Sequence, residues 1–94
     1  MLDKTLIAGH YLYYFSTCPY CNAVRVALQT LGLQVGLKDI FSDPDNRADL
    51  IAGGGKSQVP CLRIEQENGE VQWMYESMDI IRYFKSDLTS KVAK

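Results

Sequence analysis

The sequence contains one closely spaced pair of cysteines, Cys18 and Cys21, separated by Pro19 and Tyr20. An apolar run at 11–15 that favours a β-strand precedes the pair, and an amphipathic run typical of a helix follows it. Cys18 should therefore lie where a strand gives way to a helix N-terminus, at which backbone N–H groups and the helix dipole stabilise a thiolate. Cys21 should lie one turn later on the same helix face, close enough to form a disulfide with Cys18. This spacing predicts a redox site.

The Cys18 thiolate also needs hydrogen-bond donors, because a helix N-terminus alone contributes only about 0.3–2 kcal/mol. The natural donors are the N–H groups of Tyr20 and Cys21, together with the Cys21 thiol. Pro19 suits the first helical position, since it has no N–H to leave unpaired and its φ is that of a helix. We expect the Cys18 sulfur to meet solvent and to act as the nucleophile.

The elements that must position this pair are predicted from periodicity and from turn residues. In chain order they are a strand at 11–16, a helix at 19–31 ended by Gly32, a strand at 34–40, a short helix from Asp43-Pro44 that ends before Gly53, strands at 61–65 and 71–75 joined by an Asn68-Gly69 hairpin, and a helix capped by Ser77. The inner faces of the first and last helices are Val24, Ala27, Leu28 and Leu31, and Met78, Ile81, Phe84 and Leu88.

The order of these elements, βαβ followed by αββα, determines the predicted fold class. A βαβ unit requires a parallel pair of strands and a hairpin requires an antiparallel pair. We therefore expect an α/β domain with a four-stranded mixed sheet and helices on both faces. Cys18 lies at the C-terminal end of a strand, where ligand sites gather in open α/β sheets.

Composition limits the classes of function. The chain has 94 residues, 47% of them hydrophobic, and a net charge of −1, which predicts one domain over 1–94 with its core at about 11–88. Interspersed charges indicate no nucleic-acid partner, and the chain has no run of about 18 apolar residues that predicts a membrane span. The apolar stretch near the start is too short for a signal peptide and three cysteines is an odd count, so we expect a cytoplasmic protein. We also expect a monomer.

Three separated motifs make the sequence resemble the glutaredoxins: Cys18–Cys21, Gln58–Pro60 and Glu76–Ile80. The sequence is most similar to the glutaredoxin-like N-terminal half of glutathione-transferase-like proteins, over roughly residues 11–85. The resemblance implies a thioredoxin-like fold and a glutathione-dependent thiol-disulfide oxidoreductase. Cys18 and Cys21 would be catalytic, glutathione the co-substrate and no metal required. Phe15 stands where many small glutaredoxins carry Arg or Lys, which leaves the backbone amides to stabilise the thiolate.

The resemblance also implies how glutathione binds. The Val59–Pro60 peptide bond would be cis and face Cys18, which leaves the Val59 N–H and C=O to pair with the cysteinyl part of glutathione, as in strand addition. Glu76 would contact the γ-glutamyl ammonium, and Ser77 the α-carboxylate at a helix N-terminus.

Three further residues complete the implied site. Lys56, helped by Gln58, would lie near the glycyl carboxylate of glutathione, and Tyr20 would cover the ligand beside Cys18. The partners are then glutathione and proteins that carry a disulfide or a glutathionylated cysteine. Cys61 is expected to be a small core residue and His10 a surface residue without a role.

The residues alone leave simpler interpretations open. Pro60 could be a trans proline at the start of a strand, and Glu76-Ser77 only a helix cap. Lys56 could be a solvated lysine and Tyr20 an exposed residue at the start of a helix.

Other functions are also possible from the sequence. The cysteine pair could bind zinc with Cys61 and His10, although these do not form a second pair of ligands. Cys18 and glutathione could bridge an iron–sulfur cluster between two chains, but Pro19 and Tyr20 resemble the reductase type. A thioredoxin-like dithiol reductase fed by a flavoenzyme is a third alternative, against which Glu76-Ser77 favours glutathione.

Overall fold

A computed structural model describes residues 5–87 of the chain. Its elements, in chain order, are β1 (Thr5–Tyr14), α1 (Pro19–Leu31), β2 (Leu33–Asp39), α2 (Pro44–Gly54), β3 (Cys61–Glu65), β4 (Val71–Met74), α3 (Ser77–Arg82) and a π-helical turn at Tyr83–Asp87. Across this described range, the helices are too short and too polar to span a bilayer.

The four strands form one mixed sheet in the order β2-β1-β3-β4. β1 and β2 are parallel, whereas β3 is antiparallel to both β1 and β4. β1, β2 and β4 therefore run in the same direction and end at one edge of the sheet, where α1, α2 and α3 begin. β3 runs the other way and begins at that edge. The predicted four-stranded mixed sheet is confirmed, and this edge, here called the site edge, gathers the predicted functional residues.

Side chains alternate between the two faces of the sheet, and helices cover both. One face carries an aliphatic and aromatic core between the sheet, α1 and α3, formed by Leu12, Val24, Leu28, Val35, Leu62, Ile64, Ile80, Tyr83 and Phe84. The other face packs against α2 through Tyr13, Ile40, Leu50 and Cys61. The predicted helices on both faces are confirmed, and Cys61 is a fully buried core residue as expected.

β1 is longer than the sequence predicts, because it begins at Thr5 instead of residue 11, and it ends at Tyr14 rather than at residue 16. Gly9 lies inside the strand with φ of 75°, and the pairing with β2 shifts register just there. A Cβ at Gly9 would lie only 2.8 Å from the Glu65 carbonyl oxygen. Gly9, which the sequence suggests is a strand boundary, is therefore the site of an irregularity within β1.

His10 was expected at the surface, and this expectation is wrong. Because β1 starts early, His10 pairs with Ile64 in the sheet and is only 8% exposed. Its Nδ1 donates to the Ala8 carbonyl oxygen at 2.9 Å, and its Nε2 lies 2.7 Å from the Tyr83 hydroxyl. His10 thus joins the sheet to the end of the last helix.

The first helix matches its prediction and the second exceeds it. α1 has the predicted bounds and ends at Gly32, whose φ is 71°, although Leu31 is 38% exposed instead of buried. Asp43 caps α2 as predicted, since its side chain accepts from the Asp45 N–H at 3.0 Å. α2 was expected to end before Gly53, but it continues through Gly54.

The N-cap of the last helix lies one residue earlier than predicted. Glu76, not Ser77, occupies the N-cap position, so Ser77 is the first helical residue. Met78 is consequently 69% exposed rather than buried, whereas Ile80 and Phe84 are fully buried. Leu88, which was also assigned to the inner face, lies outside the described residues.

Candidate active site

Cys18 lies between the end of β1 and the start of α1 and is the N-cap residue of that helix. Its Sγ accepts a hydrogen bond from the Cys21 N–H at 3.3 Å, and its own N–H donates to the Phe15 carbonyl oxygen at 3.2 Å. This confirms the predicted position and one of the predicted donors. The side chain is less accessible than predicted, since Cys18 is only 5% exposed.

Cys21 is fully buried one turn further along α1. Burial, followed by a hydrogen bond to Cys18, raises the pKa of the Cys21 thiol to about 12. At neutral pH it is therefore a neutral thiol that donates to the Cys18 sulfur. All three cysteines are free thiols in this structure. The two members of the pair consequently differ: one sulfur accepts hydrogen bonds and the other supplies one.

Phe15 introduces no charge beside Cys18. Its ring is half-buried and stacks on Phe41 with 4.7 Å between the ring centroids. Phe41 follows the end of β2 and is 69% exposed, and Tyr20 in the first turn of α1 is 67% exposed. The Cys18 sulfur thus accepts from the backbone N–H of Cys21, without a cationic side chain at position 15.

The Val59–Pro60 peptide bond is cis, as the resemblance implied. Cys61, the next residue, pairs with Tyr13 of β1, so Pro60 lies beside the last residue of β1 at the site edge. Pro60 is buried and Val59 is half-buried. The fold therefore brings this dipeptide to the same edge as Cys18.

Glu76 and Ser77 reach the site edge by another route, because β4 ends there and α3 begins there. Glu76 is exposed, and its Oε2 accepts from the Gln58 Nε2 at 3.5 Å. The start of α3 has no side-chain cap hydrogen bond. The prediction that Ser77 caps this helix is therefore wrong, since Glu76 occupies the N-cap position and no side chain caps the helix.

Lys56 is exposed in the loop between α2 and Pro60, and one residue that the sequence analysis missed holds it in place. The Tyr75 hydroxyl donates to the Lys56 carbonyl oxygen at 3.0 Å and accepts from the Lys56 N–H at 3.2 Å. The Lys56 ammonium lies 4.9 Å from the centroid of the Tyr75 ring. The run Gly53–Gly55 was the available signal, because consecutive glycines indicate a close approach by another part of the chain.

Comparison with known proteins identifies the family. Residues 17–87 match the model of the family "Glutathione S-transferase, N-terminal domain", and the chain belongs to this family. A search of curated proteins found no match. The family and the fold described above agree with the glutaredoxin-like resemblance of the sequence.

Solved structures of glutaredoxins and glutathione transferases share the fold. Glutaredoxin 2 from Salmonella typhimurium, solved in complex with glutathione, is 26% identical with a TM-score of 0.64, and the match covers 82% of this chain and 33% of that one. A wheat glutaredoxin is 23% identical with a TM-score of 0.66, over 88% and 77% of the two chains. A trimeric glutathione transferase from Leishmania is 20% identical with a TM-score of 0.67, over 83% and 17%.

These matches establish a thioredoxin-like fold. They also show a difference in size, because this chain spans about a third of the length of the Salmonella protein and about a sixth of that of the Leishmania protein.

Proposed function

We propose that the protein is a glutathione-dependent thiol-disulfide oxidoreductase. The observation that carries this proposal is the arrangement of Cys18 and Cys21. The Cys18 sulfur accepts the Cys21 N–H at 3.3 Å at a helix N-terminus, while the buried Cys21 stays protonated because its pKa is about 12. A thiolate at Cys18 is stabilised there by the helix dipole and the backbone amide. Cys18 is therefore the attacking thiol.

The reaction with a glutathionylated protein needs Cys18 alone. The Cys18 thiolate attacks the glutathione sulfur of the mixed disulfide, the protein sulfur leaves as a thiolate and takes up a proton, and Cys18 becomes disulfide-bonded to glutathione. A second glutathione thiolate then attacks the bound glutathione sulfur. This step forms oxidised glutathione and returns the Cys18 thiolate, so each turnover consumes one free glutathione and releases one protein thiol.

The reaction with a protein disulfide also uses Cys21. Attack by Cys18 leaves a mixed disulfide with the substrate, and Cys21 then attacks the Cys18 sulfur, which forms the Cys18–Cys21 disulfide and releases the second substrate thiol. Two glutathione molecules in turn reduce this disulfide, and they leave as oxidised glutathione. Burial is the largest cause of the raised pKa of Cys21, and the hydrogen bond to Cys18 and the charge on Cys18 raise it further. The two causes that involve Cys18 disappear once its sulfur is in a disulfide, so the pKa of Cys21 falls at the step in which Cys21 must lose its proton.

The γ-glutamyl and cysteinyl parts of glutathione are proposed to bind along the site edge. Glu76 pairs with the γ-glutamyl ammonium, and Ser77 with the backbone N–H groups of α3 receives the α-carboxylate. The backbone of Val59, next to Pro60, pairs with the cysteinyl part, whose sulfur then faces Cys18. The 26% identity to a glutaredoxin solved with glutathione supports this ligand.

The glycyl end is proposed to lie at the loop before Pro60. Lys56 is an exposed cation there and pairs with the glycyl carboxylate, with the Gln58 amide as an additional donor. Gln58 already contacts Glu76, which places the loop next to the start of α3. Tyr20, exposed at the start of α1, is proposed to cover the bound tripeptide.

The physiological setting follows from this chemistry. We propose that the substrates are disulfide-containing or glutathionylated proteins, and that the protein acts as a monomer in the cytoplasm, where glutathione supplies electrons.

A coupled assay tests the proposed function. A glutathionylated peptide is incubated with the protein, glutathione, glutathione reductase and NADPH, and NADPH oxidation is followed. The proposal predicts turnover in this system and little turnover when thioredoxin reductase replaces glutathione and its reductase. Turnover only with thioredoxin reductase would contradict the proposal and favour a thioredoxin-like reductase.

A further inference from the structure

Tyr75 forms an unusually complete contact with the loop that carries Lys56. Its hydroxyl accepts from the Lys56 N–H at 3.2 Å and donates to the Lys56 carbonyl oxygen at 3.0 Å. Both backbone polar groups of one loop residue are therefore held by a single side-chain atom. Burial raises the pKa of Tyr75 above its usual value, so the hydroxyl keeps the proton that it donates.

The C-terminal end of α2 leaves room for this hydroxyl. A Cβ at Gly54 would lie 2.1 Å from the Tyr75 hydroxyl oxygen, and a Cβ at Gly53 would lie 2.2 Å from the ring of Trp73. Any side chain at either position would push the aromatic residues of this strand and its end away from α2. The two glycines therefore allow Trp73 and Tyr75 to pack against the end of α2, and they permit the contact between Tyr75 and Lys56.

The contact fixes Lys56 relative to the start of α3. Tyr75 directly precedes Glu76, and Glu76 contacts Gln58 at 3.5 Å. Two consecutive residues after β4 therefore hold the loop at two points, Lys56 and Gln58. The Tyr75 ring also lies 4.9 Å from the Lys56 ammonium, so the flexible side chain has a preferred resting place beside the ring.

We propose that Tyr75 is a positioning residue that sets the glycyl end of the glutathione site through Lys56. The inference rests on the proposed function, in which the Lys56 ammonium pairs with the glycyl carboxylate and Glu76 with the γ-glutamyl ammonium. A tripeptide of fixed length must satisfy both ends at once. Tyr75 connects the residues that would bind these two ends. It is the neighbour of Glu76 in sequence, and its hydroxyl is hydrogen-bonded to the backbone of Lys56.

The test compares two mixed disulfides of the same peptide. One carries glutathione, and the other carries the glycyl ethyl ester of glutathione, which lacks the negative charge that Lys56 would meet. Reduced full-length protein in excess reacts with each in a single turnover without free glutathione, and peptide release gives the second-order rate constant. The measured quantity is the rate constant for the glutathione disulfide divided by that for the ester disulfide. A partial loss of folded protein lowers both constants equally and cancels in this ratio.

Three variants and one control report on the inference. Lys56→Met should lower the ratio about ten- to hundredfold, because it removes a charge-assisted contact. Tyr75→Phe keeps the ring but removes the hydroxyl, and should lower the ratio about two- to tenfold. The double variant should match Lys56→Met alone. Tyr11→Phe removes a hydroxyl from another half-buried tyrosine, in β1, and should leave the ratio unchanged.

Each other outcome has a distinct meaning. An unchanged ratio in Tyr75→Phe, or a double variant in which the two effects multiply, overturns the positioning role of Tyr75. An unchanged ratio in Lys56→Met overturns the inference too, since Lys56 then does not meet the carboxylate. Absence of peptide release from both disulfides by the unmodified protein contradicts the proposed function itself.

Discussion

α1 and α3 begin at the same edge of the sheet, but the N–H groups of their first turns have different hydrogen-bond partners. At α1, the Cys18 sulfur accepts the Cys21 N–H at 3.3 Å. At α3, Glu76 occupies the N-cap position and makes no side-chain cap hydrogen bond. The first N–H groups of any α-helix have no partner inside the helix. One helix therefore turns these groups toward a sulfur of the protein itself, and the other leaves them without a side-chain cap.

In the proposed function, the two helix starts stabilise two different anions. A thiolate and a carboxylate are both anions, and both are favoured at a helix N-terminus. In the proposed reaction α1 holds the anion that reacts, and α3 receives the anion that identifies the ligand. Changes at α1 should therefore affect every disulfide substrate, whereas changes at α3 should affect only substrates that carry the γ-glutamyl group.

The largest effect is expected at α1 itself. Cys18→Ser should lower the rate of disulfide reduction to the uncatalysed background, because burial is the largest cause of the raised pKa of both remaining thiols and persists in the variant. The coupled assay with a glutathionylated peptide and with a small disulfide measures this. Activity retained on either substrate would show that another group attacks.

Cys21→Ser should separate two classes of substrate. Reduction of a glutathionylated peptide should persist, because glutathione itself releases Cys18 from the mixed disulfide. Reduction of a protein disulfide that needs a second enzyme thiol should fall strongly. The two activities are measured side by side with the same protein preparation. An equal loss on both would indicate instead that Cys21 mainly positions the Cys18 sulfur.

At α3 the effect should depend on the substrate. Glu76→Gln removes a negative charge and should lower kcat/KM for a glutathionylated peptide about ten- to hundredfold, since a charge-assisted hydrogen bond contributes about 1.5–3 kcal/mol. The same peptide in a mixed disulfide with cysteine, which lacks the γ-glutamyl group, serves as the control. The ratio of the two kcat/KM values is the decisive quantity, and an unchanged ratio would mean that Glu76 does not bind the ammonium.

Stability should fall in alkaline solution because of the buried thiols. The pKa of Cys61 is raised from 9.0 to about 12, mainly by burial, so the folded protein holds this proton more tightly than the unfolded chain. Its contribution is fully present below pH 9 and is lost as the pH rises toward 12. Urea unfolding under reducing conditions at pH 8 and pH 10 measures the loss. Cys61→Ala should show a smaller decrease between these pH values, and an equal decrease would contradict the assignment.

The smallest expected effects are on the free energy of unfolding, and they compare the start of α2 with the start of α3. Asp43→Ala removes the cap of α2 and should cost about 0.5–2 kcal/mol in the free energy of unfolding. Ser77→Ala at the uncapped start of α3 should change it by no more than about 0.5 kcal/mol. Urea unfolding of both variants gives the comparison. A larger cost for Ser77→Ala than for Asp43→Ala would show that Ser77 stabilises its helix after all.

Local signals in the sequence were enough for the reactive half of the site. The pattern around Cys18 and Cys21 lies within one strand-to-helix junction, and the bounds of α1 and β3 were predicted without error. The cis geometry of Pro60 came from the resemblance to a family, since the residues alone favour trans. The predicted N-cap of α3 was one residue too late, and Met78, which is exposed, was therefore wrongly assigned to the core.

The other errors arose where tertiary contacts override local patterns. Gly9 resembles a strand boundary, but it lies within β1 because only a residue without Cβ can approach the Glu65 carbonyl there. His10 was assigned to the surface for the same reason. Tyr75 could not be found from its own neighbours in sequence, because its partner Lys56 is 19 residues away and Gly54 provides the space between them.

The proposed reaction requires that Cys18, and not the buried Cys61, forms the bond to glutathione. This requirement is tested by reacting the reduced Cys21→Ser variant with one equivalent of oxidised glutathione and locating the product by digestion and mass spectrometry. We expect a single glutathionyl group, attached at Cys18. Modification mainly at Cys61, or spread evenly over the two remaining cysteines, would contradict it.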